Sequence, residues 1–282
     1  MKILAMGDFQ GEFPLKMEKR LKKEEFDFAI ALGDFAGIRQ WRPYFKALFI
    51  GRKKNGKRIT PEEFFGKRAY KNLIKKDEKA GKEVFKKINA LGKAVIFVFG
   101  NTDDGWYDYP FEDKNKANKS RKKFVARMQN MNDISYGRMS LFGIRFAGFG
   151  GYMDVKFNYG KPETKEEKES FRKGMKRIAK SKARLKRLLS KRADVLVLHY
   201  PPKGVFDVIK DRGNPYHGKS AGIRMFRDAI IKKKPRLVLC GHMHEYQGKR
   251  RIGGSLIVNP GDAARGKYAV IDWPSLKVRF VK

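Results

Sequence analysis

Five short apolar stretches of the chain each stop at polar, turn-forming residues. Lys2–Met6 runs into Gly7–Asp8, Phe26–Leu32 into Gly33–Asp34, and Ala94–Phe99 into Gly100–Asn101–Thr102–Asp103. Asp194–Leu198 runs into His199–Tyr200–Pro201–Pro202, and Arg236–Cys240 into Gly241–His242–Met243–His244. Stretches this short, with few polar interruptions, predict β-strands buried on both faces, because a strand with one wet face would alternate. Sheets of that kind bind ligands beyond the carboxyl ends of their strands, so the residues after each stretch are candidates for chemistry.

Between the strands the apolar period changes to three or four. Thr60–Pro61–Glu62–Glu63 offers an N-cap, a proline at the first helical position and a capping-box glutamate, ahead of a basic helix. Thr164–Lys165–Glu166–Glu167 does the same for a second helix, whose apolar positions Phe171, Met175, Ile178, Leu185, Leu188 and Leu189 fall on one face. A further helix over about Ser220–Lys233 precedes Pro235. Arg138–Leu141 and Ile144–Phe149, joined at Phe142–Gly143, predict a hairpin, and Ser255–Val258, Tyr268–Asp272 and Lys277–Val281 predict closing strands. The expectation is an α/β protein of one domain over residues 1–282, with basic insertions edged by Asn55–Gly56 and Asn158–Pro162.

Charge changes the picture. The chain has 66 Lys and Arg against 30 Asp and Glu, a formal net charge of +36. Residues 51–93 carry +10, residues 111–130 carry +5 and residues 161–192 carry +10. A field of that size draws polyanions such as nucleic acid or an anionic membrane surface, in a salt-dependent way. The competing reading is lysine enrichment on solvated helix faces. The single Cys240 excludes an internal disulfide and any cysteine-based metal site, and reads as a small buried apolar residue. No apolar run approaches the roughly 18 residues that span a bilayer, and the N-terminus is too short in apolar residues for a signal peptide, so a soluble, cytoplasmic protein is expected.

Only four histidines are present. Three of them, His199, His242 and His244, stand at the strand ends, as do Asp8, Asp34 and Asn101. Imidazole, carboxylate and amide oxygens delivered from separate strand ends are what a two-metal hydrolytic site requires.

In order and spacing, Gly7–Asp8–Phe9–Gln10–Gly11, Gly33–Asp34, Gly100–Asn101–Thr102–Asp103, His199 and Gly241–His242–Met243–His244 resemble the calcineurin-like metallophosphoesterase superfamily. Leu196–Pro202, His217–Ser220, Pro235–Glu245 and Val258–Gly261 look like its Icc-related predicted phosphoesterases. The resemblance implies a four-layer α/β/β/α sandwich with two divalent ions at the sheets' carboxyl ends. By analogy Asp34 bridges the ions, Asp8 and His244 hold the first, and Asn101, His199 and His242 hold the second. Such donors suit Mn²⁺, the leading candidate, or Fe²⁺, Ni²⁺ or Zn²⁺. The implied activity is a phosphodiesterase or a nucleotide or nucleic-acid hydrolase.

Two positions depart from the family pattern. Gln10 stands where a histidine is usual, and its amide oxygen is a weaker, neutral ligand for the first ion. Thr102 stands where many members have the histidine that protonates the leaving group, and a hydroxyl is a poor general acid, worth about 10²–10⁴-fold in rate when lost. These departures, with the basic stretches, define the alternative: a nucleic-acid- or ribosome-binding protein with a degenerate site. Among other residues, His217 either touches substrate phosphate or caps the following helix, Asp103 orients a ligand, and Asn259 and Asp262 are structural. Trp41, Trp106 and Tyr107 are positioned to stack a base or sugar, or else to pack.

Overall fold

The structure, a computed structural model, describes residues 1–49, 53–54, 57–103, 124–153, 165–214 and 216–282. Its elements run β1 (Lys2–Met6), α1 (Leu15–Leu21), β2 (Phe28–Ala31), α2 (Arg42–Phe49), β3 (Lys53–Lys54), β4 (Lys57–Arg58), α3 (Pro61–Phe65) and α4 (Lys67–Asn89). There follow β5 (Val95–Phe97), β6 (Met131–Asp133), β7 (Arg138–Leu141), β8 (Ile144–Phe149), α5 (Lys165–Leu188) and β9 (Val195–Leu198). The chain closes with α6 (Arg224–Lys233), β10 (Leu237–Leu239), β11 (Gly248–Ile252), β12 (Ser255–Asn259), β13 (Tyr268–Asp272) and β14 (Val278–Val281).

Two six-stranded sheets form, one ordered β14-β13-β1-β2-β5-β6 and the other β11-β12-β10-β9-β8-β7. Within them β1, β2, β5 and β6 are parallel, as are β8, β9, β10 and β12, while β14, β13, β11 and β7 add antiparallel edges. The two-residue period decides what each strand packs against. In β1, Ile3 and Ala5 join Val195 and Val197 of β9 in one core between the sheets. Leu4 and Met6 face the other way, onto Met17 and Leu21 of α1 and Val84 and Phe85 of α4. In β9, Leu196 and Leu198 meet Leu185 and Leu188 of α5 and Phe226 and Ile230 of α6. Of the apolar cores among the described residues, the three largest thus join one sheet to helices, the two sheets to each other, and the second sheet to helices. The basic stretches 51–93 and 161–192 contain α4 and α5, so they contribute to these cores as well as to the charge.

Local signals acted largely as expected. Thr60 and Glu63 make a reciprocal capping box with Pro61 at the first helical position, but Gly66, at φ 80°, ends α3 after five residues and α4 starts anew. Phe142 and Gly143 both take positive φ, as a two-residue hairpin turn requires. Cys240 is buried in the apolar core, and burial raises its thiol pKa. Three expectations need correction. The helix expected from about Ser220 begins at Arg224, because Ser220 instead gives its hydroxyl proton to Asp207. Met175 is 46% exposed, since only the last turn of α5 lies on the sheet. Strands β6 and β11 join the sheets at their edges without a sequence signal; Lys249, Arg250 and Arg251 of β11 are exposed and show no apolar pattern.

Each strand end is fixed by the residue after it. Phe9 follows Asp8 and Phe35 follows Asp34, and their rings stack 5.4 Å apart at 9°. Phe35 also meets Phe85 of α4 at 4.1 Å. Burying one such ring contributes about 1.5–3 kcal/mol, so the two loops that carry the aspartates are pinned beneath α4 by aromatic packing.

Candidate metal centre

The loops after β1 and β2 lace together through their backbones. Asp8 N donates to Gly33 O at 3.0 Å, Gln10 N to Asp34 O at 2.7 Å, and Gly11 N to Phe35 O at 2.9 Å. This lacing holds Asp8, Gln10 and Asp34 at φ 61°, 49° and 55°, and His242 on its own turn is at 68°. Eight non-glycine residues among those described take positive φ, and half of them are these four expected ligands. Such conformations cost roughly 1–3 kcal/mol each and persist only where the surroundings impose them.

Neighbouring glycines leave the room. A Cβ on Gly100 would strike Asp34 Oδ1 and approach His199 Cε1 to 2.7 Å, and one on Gly241 would approach Asp8 Oδ2 to 2.9 Å.

Two groups of ligand atoms form, each with its members within 4.8 Å of one another: Asp34, His199 and His242, and Asp8, Asp34 and His244. Asp34 belongs to both, the place expected of a bridging carboxylate. His199 Nδ1 lies 2.8 Å from Leu32 O, an arrangement that only an Nδ1–H donor satisfies, which leaves Nε2 as the ring nitrogen turned to the site. That nitrogen lies 2.8 Å from Asn101 Oδ1, which His242 Nδ1 also approaches at 2.8 Å. His199 Nε2 is 3.5 Å from Asp34 Oδ1, and His244 Nε2 is 3.8 Å from Asp8 Oδ1. Gln10 lies beside the first group, but the oxygen expected to ligate is turned away: its Nε2 lies 3.0 Å from His244 Nε2, while its Oε1 accepts from Arg42 at 3.3 Å.

The electrostatics favour a cation. Burial, then the charges of Asp34 and Asp262, push the Asp8 carboxyl well above the usual range. Burial, then His199 and His244, holds His242 well below it, and burial lowers His244 likewise, so both are neutral and offer lone pairs. Asp8 Oδ2 is buried with no hydrogen-bond partner. An orphaned carboxylate oxygen and a cluster of buried carboxylates are each costly alone, and divalent cations satisfy both.

Other residues position these. Asp103 is fully buried and accepts three backbone N–H groups: Gly100 at 2.7 Å, Asp34 at 2.8 Å and Ala36 at 3.1 Å. It therefore shapes the Asp34 and Gly100 loops through their backbones and acts on the ligands from there. Thr102 N donates to Asp34 Oδ1 at 3.0 Å, and the Thr102 hydroxyl donates to Ala36 O at 3.0 Å. Asn259 is buried, with Nδ2 3.5 Å from Met243 O, and Asp262 caps the turn at Ala264; both are structural as expected. Trp41 takes the packing alternative: it is 2% exposed, packs on Tyr44, Phe65 and Tyr70, and donates Nε1 to Asp77 at 3.0 Å. His217 is exposed in a turn and does not cap α6, whose N-cap is Ile223. Trp106 and Tyr107 lie outside the described residues.

Two supporting residues gave no sequence signal. Asp77 of α4 is buried and accepts Gly37 N at 2.8 Å and Ile38 N at 2.9 Å, yet in sequence it stands within a run of surface charge. Tyr200 places its ring 4.0 Å from that of His242.

A family model described as metallophosphoesterase, calcineurin superfamily, matches residues 1–282. One solved structure, 20% identical, superposes with a TM-score of 0.61 over 100% of this chain and 98% of its own. TT1561 of Thermus thermophilus is 17% identical, with a TM-score of 0.54 and the same coverages. A dimetal phosphatase from Danio rerio is 9% identical, with a TM-score of 0.50 over 100% of this chain and 98% of that one. These identities speak for the fold. No match is found among curated proteins.

Proposed function

The chain belongs to the calcineurin superfamily of metallophosphoesterases, and from that membership we propose that it hydrolyses phosphodiesters, nucleotides or nucleic acid with two divalent cations. The observation that carries this reading is the pair of ligand groups sharing Asp34. On this reading Asp8 and His244 would hold one cation, Asn101, His199 and His242 the other, and Asp34 both. Gln10 can add its oxygen to the first only by releasing Arg42. Manganese leads among Mn²⁺, Fe²⁺, Ni²⁺ and Zn²⁺ for this mixture of carboxylate, amide and imidazole donors.

Bound there, the cations would supply Lewis-acid polarisation of the phosphoester and a nucleophile at neutral pH. The chain's own residues do the rest. The Leu32 carbonyl holds His199 in the tautomer that presents Nε2, and the Thr102 N–H fixes the Asp34 carboxylate. Asp8 and Asp34 are the two carboxylates in the ligand set, so two divalent ions leave the site net positive and receptive to an anionic phosphoester. With the Thr102 hydroxyl committed to Ala36 O, no general acid acts from that position, and substrates with good leaving groups are favoured.

The test is metal analysis combined with hydrolysis of bis(p-nitrophenyl) phosphate and of the corresponding monoester, repeated with Asp34→Asn and His199→Ala. Metal-stimulated diester turnover that either substitution abolishes is expected. Absence of both bound metal and turnover would instead favour the second reading, a nucleic-acid- or ribosome-binding protein, for which the commitment of the Thr102 hydroxyl also speaks.

A further inference from the structure

Helix α5 presents a long, strongly basic exposed surface. Between Lys165 and Arg187 it carries eleven exposed Lys and Arg residues against Glu166, Glu167 and Glu169. A solvated helix commonly alternates its charges so that residues four apart attract. Here Lys168, Arg172, Lys176 and Lys180 follow one another at that spacing and repel, while Glu169 pairs with Lys173 at 2.8 Å. Helix α4 begins in the same way, with Lys67, Lys71, Lys75 and Lys79 exposed at that spacing, but further along it pairs Glu78 with Lys82 and Glu83 with Lys86.

The last turns of the helix lie against the strand end that leads to the ligand His199. The Arg184 guanidinium lies 4.4 Å from the Tyr136 ring, whose face meets the edge contact of Phe149 at 5.1 Å, and Phe149 O accepts His199 N at 3.3 Å. One turn further on, Arg138 donates to Leu188 O at 2.7 Å and to Arg192 O at 2.6 Å. From Arg184 to Leu188 the helix therefore follows β7 from Tyr136 to Arg138, antiparallel to β8 and β9. Its preceding residues extend beyond the carboxyl ends of those strands, the end that carries the ligands. All 24 residues span about 36 Å.

Resting on the phosphoesterase reading of the site, we propose that α5 is a docking rail for the phosphate backbone of a nucleic-acid strand, which it holds beside the metal centre. Phosphates spaced about 3.4 Å apart along a strand would neutralise the like charges that repel along the helix. A mononucleotide engages too few of them. A membrane surface fits less well, because interfacial helices present a broad apolar face, and Met175 is the one exposed large hydrophobic of α5 among the described residues.

The test is fluorescence anisotropy of the full chain, in chelator, with labelled single-stranded oligouridylate and with duplex DNA. Replacing Lys168, Arg172, Lys176 and Lys180 together by Gln, a good helix former, is expected to weaken binding at least about tenfold and to flatten the salt dependence of log K for the single strand by about 3. The control K249Q/R250Q/R251Q, on the exposed edge strand β11, should change affinity less than about threefold, roughly one phosphate contact. Equal losses in both variants would reduce the effect to net charge and overturn the proposal. So would binding of neither nucleic acid by the unsubstituted chain, or flotation with phosphatidylserine vesicles in place of nucleic-acid binding. If the fourfold variant fails to fold, K168Q/R172Q and K176Q/K180Q, each expected to give about half the slope change, decide the matter. Metal-dependent turnover of bis(p-nitrophenyl) phosphate, read in parallel, should be unchanged in the fourfold variant. Its absence from the unsubstituted chain would sink the phosphoesterase reading and leave the binding result standing.

Discussion

Asp103→Asn isolates what a positioning carboxylate contributes. In the chain as it stands, Oδ2 accepts Gly100 N at 2.7 Å and Asp34 N at 2.8 Å, while Oδ1 accepts Ala36 N at 3.1 Å. Asparagine has the same shape but one acceptor atom. If its oxygen takes the Oδ2 place, its NH₂ faces the Ala36 N–H, and one buried donor is orphaned at a cost of about 1–3 kcal/mol. The two surviving bonds change from charge-assisted to neutral and lose about 1 kcal/mol each. Against this, the substitution removes a buried charge beside Asp34; burial and that neighbour already hold the Asp103 carboxyl well above its usual pKa. The net expectation is a loss of about 2–4 kcal/mol in urea unfolding with chelator, a large part of the roughly 5–15 kcal/mol of an ordinary domain. Because the Asp34 loop loosens, Mn²⁺ affinity by calorimetry should fall about 10–100-fold. A variant within about 0.5 kcal/mol of the parent with unchanged Mn²⁺ affinity would refute the assignment of Asp103 as the organiser of that loop.

Three further outcomes are expected. Gly100→Ala puts a methyl against Asp34 and His199 and should cost at least about 1–3 kcal/mol and weaken metal binding, whereas Gly254→Ala, with nothing within 4 Å, should be near neutral; equal effects would disprove the close-approach argument. Saturating Mn²⁺ at about 100 times its dissociation constant should stabilise the chain by about 2.7 kcal/mol in thermal or urea unfolding, and Asp34→Asn should abolish that increment. Arg145 grips Asp194 through Nε at 2.7 Å and Nη2 at 2.8 Å and lowers its carboxyl pKa, so the pair stabilises fully above the ordinary value near about 3.9 and the stabilisation fades as pH falls through the lowered folded value. Asp194→Asn should therefore cost about 1 kcal/mol at neutral pH, a modest figure because Arg145 is half exposed, and the gap between variant and parent should close in acid.

The donors of the site were legible because each terminates a strand buried on both faces, where glycine and a polar residue directly after an apolar run place a side chain at the sheet's carboxyl end. Asp8, Asp34 and His242 fall within that rule, His199 follows its apolar run without a glycine, and the structure gathers them. What escaped depends on partners far along the chain. Asp77 reads as one more charge on a basic helix until the loop at Gly37 and Ile38 folds over it. Trp41 stands near an expected ligand in sequence, but α4 supplies Tyr70 and Asp77 to bury it. The Thr102 hydroxyl looks available until Ala36 O arrives beside it. β11 has no apolar alternation because its solvent edge needs none. Local patterning thus reports which residues end strands, and only the closed fold reports which way a side chain is turned.

The left-handed backbone at Asp8, Gln10, Asp34 and His242 has a price in the apo chain. An ancestor or design screened for thermal endurance alone would drift to glycine or asparagine at those four places, relieving both torsional strain and the crowding of buried acids. Aspartate, glutamine and histidine at those places give a molecule that trades endurance for readiness, with its site residues set in place before any ion arrives.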